Sequence, residues 1–126
     1  MLLSGVPRLD LREWRRHAVV RAAGVDRSLA QKVAEWLWTV LAEWVQEDRA
    51  LVLAFATGCS RLPAVGFSGL EPAFTVEVVP GDHTHALPTS HTCLNSLTIP
   101  VYEGHEELAK KLALAAREGA GSFDLR

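Results

Sequence analysis

Cysteine is scarce in this chain. Cys59 and Cys93 are the only two in 126 residues, too few for a disulfide-stapled scaffold and in keeping with a reducing compartment. Long apolar runs are missing as well. No stretch approaches the roughly 18 residues that a membrane span needs, so no membrane association is expected. Leu2 and Leu3 are soon followed by Arg8 and Asp10, which is not the pattern of a signal peptide. Charge of one sign is absent too: 13 Lys and Arg face 15 Asp and Glu, for a net charge of −2. That balance offers no basic field to nucleic acid or to an anionic membrane. There are no repeats and no low-complexity segments. What the chain does have is apolar material, 48% of its residues, beside 22% charged. This suits one soluble domain, or one domain with a short piece of another, in the cytoplasm or nucleus.

The hydrophobic pattern predicts a small α+β domain, with helices packed on a short sheet. Asp10 to Arg16 reads as a short helical piece carrying one large apolar side chain, Trp14. Val20 to Gly24 lacks a strong period and reads as a linker. Ser28 and Gln31 then form a capping box at the head of an amphipathic helix. Its stripe is Val33, Trp36, Leu37, Val40, Leu41 and Trp44, at spacings of three and four. A second helix is expected over Glu47 to Ala56, apolar almost all round and stopped by Gly58. Phe74 to Val79 and Leu97 to Ile99 read as strands. Glu106 to Arg117 is the last helix, ended by Gly119 and Gly121, which leaves a tail from Ser122 to Arg126.

Chemistry concentrates in one loop. His83, His85, His91 and Cys93 are spaced H-x-H-x5-H-x-C, a donor set that suits zinc. Structural zinc sites usually join two ligand pairs across a longer insert, and no second knuckle is present. A blander possibility is solvated histidines around a Cys93 that packs as a small hydrophobe. The third is a nucleophile, because even a thiol of ordinary acidity is intrinsically reactive. If the segment is extended, His91 and Cys93 point to the same side. No Asn or Asp is obviously placed to orient the imidazole as a protease triad requires. Acyl exchange between thiols needs less, only an exposed thiolate and an already activated acyl carbon.

The stretch Leu87-Pro-Thr-Ser-His-Thr-Cys-Leu-Asn95, followed by Leu97, Ile99-Pro100 and Tyr102, resembles the active-site segment of HECT-type ubiquitin ligases, LPxAHTCFN and then LxLPxY. Phe55 to Phe67 (FATGCSRLPAVGF) is similar to that family's FVTGSSRVPxGGF. Trp36 and Trp38 stand where the family has its WFW helix, and Leu2 to Trp14 resembles its LLCG followed by DxxDW. Phe123 is fourth from the C-terminus, where the family keeps a phenylalanine. The resemblance covers essentially the whole chain.

It implies a catalytic lobe preceded by the end of a larger one: residues 1–19 closing the large lobe, 20–24 as hinge, and 25–126 as the small lobe with its tail. It implies ubiquitin, a ubiquitin-conjugating enzyme and protein substrates as partners, and no cofactor or metal. Cys93 would accept ubiquitin as a thioester and pass it to a substrate lysine. Thr92 and His91 would shape the thiol's surroundings, and Ser96 to Ile99 would offer a strand edge to the ubiquitin tail. Phe123 would dock on the large lobe, and Asp124 would orient or deprotonate the incoming lysine, with the terminal carboxylate of Arg126 as its rival. The alternative is a degenerate lobe that binds ubiquitin or a partner without forming a thioester. The departures that keep it open are Leu94 in place of phenylalanine and a hinge reading His17 to Gly24; Ala64-Val65 before Gly66 is a further departure from the family pattern.

Overall fold

The computed structural model describes residues 9–59, 61–81 and 86–124, the stretch 120–124 by backbone alone. In chain order the elements are α1 (Leu11–Arg16), β1 (Val19–Ala22), α2 (Arg27–Glu43), α3 (Gln46–Thr57), β2 (Thr75–Val79), β3 (Thr89–His91), β4 (Ser96–Pro100) and α4 (His105–Asp124). Single 3-10 turns lie at Gly66–Gly69 and Thr92–Leu94. The strands form one mixed sheet in the order β1-β2-β4-β3. β1 and β4 each pair parallel to β2, whereas β3 runs antiparallel to β4. This is the α+β class that the sequence predicts.

Helix ends follow local chemistry. Asp10 caps α1, its Oδ1 accepting from the backbone N–H of Arg12 at 2.9 Å and of Glu13 at 3.3 Å. The capping box at Ser28 is not used. Helical bonding starts two residues earlier, with Ala30 N–H donating to the Asp26 carbonyl, so Ser28 falls inside the first turn. At the other end of α2, Arg49 donates from Nε to the Leu41 carbonyl at 2.7 Å and from a second guanidinium nitrogen to Ala42 at 3.1 Å. The Leu41 carbonyl also accepts from the Trp44 N–H at 3.2 Å, and the guanidinium adds a donor to both carbonyls of this last turn.

The helices cover one face of the sheet. Val76, Val78, Leu97 and Ile99 point into that layer and are fully buried, while Thr75, Glu77 and Val79 alternate to the other, half-buried face. Val33, Leu37 and Leu41 of α2, Leu53 of α3, and Leu108 and Leu112 of α4 complete the core.

Trp14 sits at the centre of an aromatic group. Its ring stacks on Phe67, with centroids 5.2 Å apart, and meets Phe74 and Trp38 edge-on at 5.4 and 6.1 Å. Leu9 is buried beside it, and its backbone N–H and C=O both bond the Gln46 side-chain amide, at 2.9 and 3.3 Å. The stretch expected to close a preceding lobe thus shares its core with the rest from Leu9 onward. The first part of the expected linker is likewise a strand: Val19 to Ala22 pair residue by residue with Thr75 to Val78, and the chain then bends over Ala23 to Val25, with Gly24 at φ 84°.

The final helix also departs from expectation. It runs through Gly119 to Asp124 instead of ending there. A Cβ on Gly119 would come within 2.5 Å of Phe55 Cδ1, so this glycine lets α4 approach α3 rather than stopping it.

Trp14→Ala is expected to destabilise the fold by about 3–5 kcal/mol, the usual range for emptying a large aromatic site. Trp14→Phe should cost clearly less: it retains a ring there, and among the described residues the buried Trp14 Nε1 has no hydrogen-bond partner to lose. Urea denaturation of the two variants checks both the size and the order.

Candidate active site

The reactive segment folds into a tight reversal between β3 and β4. Register places His91 opposite Ser96, Ser90 opposite Leu97 and Thr89 opposite Thr98. Four residues, Thr92 to Asn95, therefore make the turn. Thr92–Leu94 form the 3-10 turn and Asn95 closes it in the left-handed region, at φ 51° and ψ 43°. A hairpin connection of this length needs such a conformation near its end, and asparagine tolerates it better than most side chains.

Cys93 lies at the middle of that turn, exposed and free of any disulfide. His91, Thr92 and Leu94 are exposed with it. The chain between His91 and Cys93 is not extended, because Thr92 already begins the 3-10 turn. Strand alternation therefore does not place the imidazole beside the sulfur. Among the described residues, no hydrogen bond joins the two side chains.

The turn rests on two supports. Asn95 is buried, and its Nδ2 donates to the Pro72 carbonyl at 2.7 Å. Its own carbonyl accepts from Thr75 N–H at 2.9 Å, at the head of β2. The second support is the end of α3. Gly58 caps that helix at φ 81°, its N–H donating to the Ala54 carbonyl at 2.7 Å. A Cβ on Gly58 would sit 3.5 Å from Thr92 Cβ, so this backbone lies directly against the turn. Cys59 follows Gly58, also exposed and free. Upstream, Tyr102 donates from its hydroxyl to the Ala86 carbonyl at 2.6 Å and fixes the approach to Leu87.

β4 is an inner strand, paired on both sides, so the edge expected at Ser96 to Ile99 is not free. The outer strand on the cysteine side is β3. A groove beside it is lined by Phe55, Pro88, Ser90, Ala115, Glu118 and Gly119.

Of the residues singled out in the sequence, His91, Thr92 and Cys93 are brought together on the turn. Phe123 and Asp124 lie in the last turn of α4, described by backbone alone, while Arg126, His83 and His85 lie outside the described residues. Among the described residues, no three His, Cys, Asp or Glu groups are placed to hold a metal ion. The support that Asn95 and Gly58 give the turn is not part of the sequence reading, in which Gly58 only stops a helix. An αL-tolerant residue immediately before a β-branched strand was the available signal for Asn95.

A model of the HECT domain, described as a ubiquitin-transferase, matches residues 1–126. This chain belongs to the HECT-domain family. Its relatives include apoptosis-resistant E3 ubiquitin protein ligase 1 of Homo sapiens, 38% identical over 125 residues, which are 99% of this chain and 15% of that protein. E3 ubiquitin-protein ligase RSP5 of Saccharomyces cerevisiae is 35% identical over 126 residues, 96% of this chain and 15% of that protein. E3 ubiquitin-protein ligase HACE1 of Danio rerio is 38% identical over 131 residues, 99% and 14%. The chain thus spans a small fraction of the HECT ligases it matches. Among the described residues, no helix is long and apolar enough to cross a membrane.

Gly58→Ala is expected to cost about 1–2 kcal/mol, the ordinary penalty for forcing a Cβ into the left-handed region. Gly58→Asn should cost less, and thermal unfolding of both variants checks that order.

Proposed function

We propose that this chain is the catalytic C-terminal lobe of a ubiquitin ligase, with Cys93 as the acceptor of ubiquitin. The observation that carries this is a free, exposed thiol at the tip of a supported turn, in a chain that the HECT model matches from end to end. The Cys93 thiolate attacks the carbonyl carbon of a ubiquitin thioester held by a conjugating enzyme. A new C–S bond forms, the old one breaks, and the enzyme's thiolate leaves. In the second step a substrate lysine attacks the same carbon, an amide forms, and the Cys93 thiolate departs. The amine's proton goes to a carboxylate, a role we assign to Asp124 of the tail, with the C-terminus at Arg126 as its rival.

Thr92 and His91 border the sulfur along the chain, and we assign them to shaping the site rather than to a fixed base. The ubiquitin tail is placed along the outer edge of β3, which ends two residues before Cys93, rather than along the inner strand β4. The joint to a larger lobe is placed before Leu9, a boundary supported by the shared core of Leu9, Trp14 and the later helices. We place the protein in the cytoplasm or nucleus, where conjugating enzymes and substrates would meet it.

The reading as a non-catalytic binding module rested on Leu94 and on the altered hinge. Leu94 is 46% exposed, so little packing hangs on its replacing a phenylalanine. Half of His17 to Gly24 is the strand β1, Val19 to Ala22, and pairing with β2 gives the segment a role that does not depend on the usual hinge sequence. Neither observation favours the module.

In the intact ligase, Cys93→Ala should abolish a thiol-sensitive ubiquitin adduct on a non-reducing gel, and Cys59→Ser should retain it. The opposite pattern would move the acceptor to Cys59. For the second step, Phe123→Ala should still charge Cys93 but pass ubiquitin to lysine poorly, so that the adduct accumulates in a pulse-chase. Normal ligation by that variant removes Phe123 from the mechanism.

A further inference from the structure

The turn that carries Cys93 contains a buried polar residue to which the two transfer steps give no task. Asn95 is 8% exposed, although the four residues before it all face solvent. It makes three hydrogen bonds, one within the turn and two to the segment from Pro72 to Thr75. Its N–H donates to the Thr92 carbonyl at 3.2 Å and closes the turn around Cys93. Its carbonyl accepts from Thr75, and its side-chain amide donates to Pro72 at 2.7 Å.

Two demands meet at this position. The backbone must hold φ 51°, which glycine, asparagine and aspartate tolerate. The side chain must also present an N–H to a carbonyl 23 residues upstream. Glycine has no side chain to do so, and ionised aspartate presents only acceptors to an acceptor. Asparagine satisfies both.

We infer that Asn95 is a positioning residue for the Cys93 thiol: tied to Pro72 and to β2, it fixes the turn so that the sulfur is presented at one place and angle. The inference rests on the acceptor role proposed for Cys93. Thiol exchange at a thioester is sensitive to approach geometry, and holding the nucleophile in place contributes to rate without touching either ubiquitin or its carrier. Without the Pro72 tie the turn keeps its covalent ends but loses its lateral anchor. The thiol then samples orientations from which attack does not occur.

The test is single-turnover charging of the intact ligase at a series of charged conjugating-enzyme concentrations. Asn95→Gly preserves the left-handed backbone and removes the amide, whereas Asn95→Asp preserves shape and backbone and removes the donor. Both should lower the maximal charging rate about tenfold or more, because misplacement of a reacting group by an ångström costs on that order or beyond. The half-saturating concentration should stay within about twofold of the parent, since docking of the conjugating enzyme is not Asn95's task. Amide hydrogen exchange within α2 provides an internal reference: protection of its buried residues Val33, Leu37 and Leu41 should be unchanged in both variants. Maximal rates equal to the parent overturn the inference. So does a rate loss accompanied by a matching rise in half-saturation and by faster exchange in α2, the signature of a generally loosened fold. If one variant does not fold, the other decides by the same criteria. A parent ligase that forms no Cys93 adduct at all overturns the acceptor assignment first, and the role of Asn95 with it.

Discussion

The double pairing of β4 is the constraint on which the active-site geometry depends. Leu97 and Ile99 are wholly buried in the helix layer, and the strand is hydrogen-bonded to β2 on one side and β3 on the other. Side chains alternate along a strand, so a slip of one residue would turn both out of the core at once. That penalty fixes the register. Fixed register sets His91 opposite Ser96 and leaves Thr92 to Asn95 for the reversal. Cys93 is exposed because it lies mid-way along a short link between two pinned strands. The core thus determines where a surface thiol stands.

The helices hold the face of the sheet that carries Val76, Val78, Leu97 and Ile99. Parallel β1, β2 and β4 are covered by helices on one face, and the aromatic group around Trp14 ties the first helix to α2 through Trp38 and to the chain before β2 through Phe67 and Phe74. Gly119 allows α4 to close down on Phe55 of α3, beside the groove that borders β3. A glycine inside a helix costs about 1 kcal/mol against alanine. Here the close contact of two helices offsets that cost, which explains why a residue that normally signals a stop sits inside an element.

The parts legible in the sequence are those whose signal is local. The spacing of Val33, Leu37 and Leu41 gives α2, the acidic start and Gly58 bracket α3, and β-branched runs give β2 and β4. The motif around Cys93 places His91, Thr92 and the thiol on one loop. What escaped depends on partners far away along the chain. β1 is four residues long with no buried residue to mark its alternation, and it exists because β2, more than 50 residues on, offers it an edge. The tie of Asn95 to Pro72 and the contact of Gly58 with Thr92 escaped for the same reason: no window of sequence contains both members of either pair. The supposed alternation of His91 and Cys93 failed because it assumed a strand where the four-residue reversal requires a turn.

An exposed thiol without a hydrogen-bonded base beside it is an uncommon design for a hydrolytic nucleophile, whose carbonyl substrate must be activated within the site. It suits transfer between thioesters, where the acyl carbon arrives activated and the attacking and leaving groups are chemically alike. In such a reaction the barrier is governed by encounter and alignment, a term that can reach about 7–11 kcal/mol. If Cys93 is the acceptor, as proposed, this chain would supply the alignment half, through the register of β4 and the buried amide of Asn95. The encounter half, on the reading proposed here, belongs to the much longer sequence found in its relatives, of which this chain spans only about 15%. An open turn is then an advantage. A deep pocket around Cys93 would have to admit a conjugating enzyme, a ubiquitin tail and a substrate lysine in succession, whereas an exposed tip lets each approach the same sulfur from its own direction.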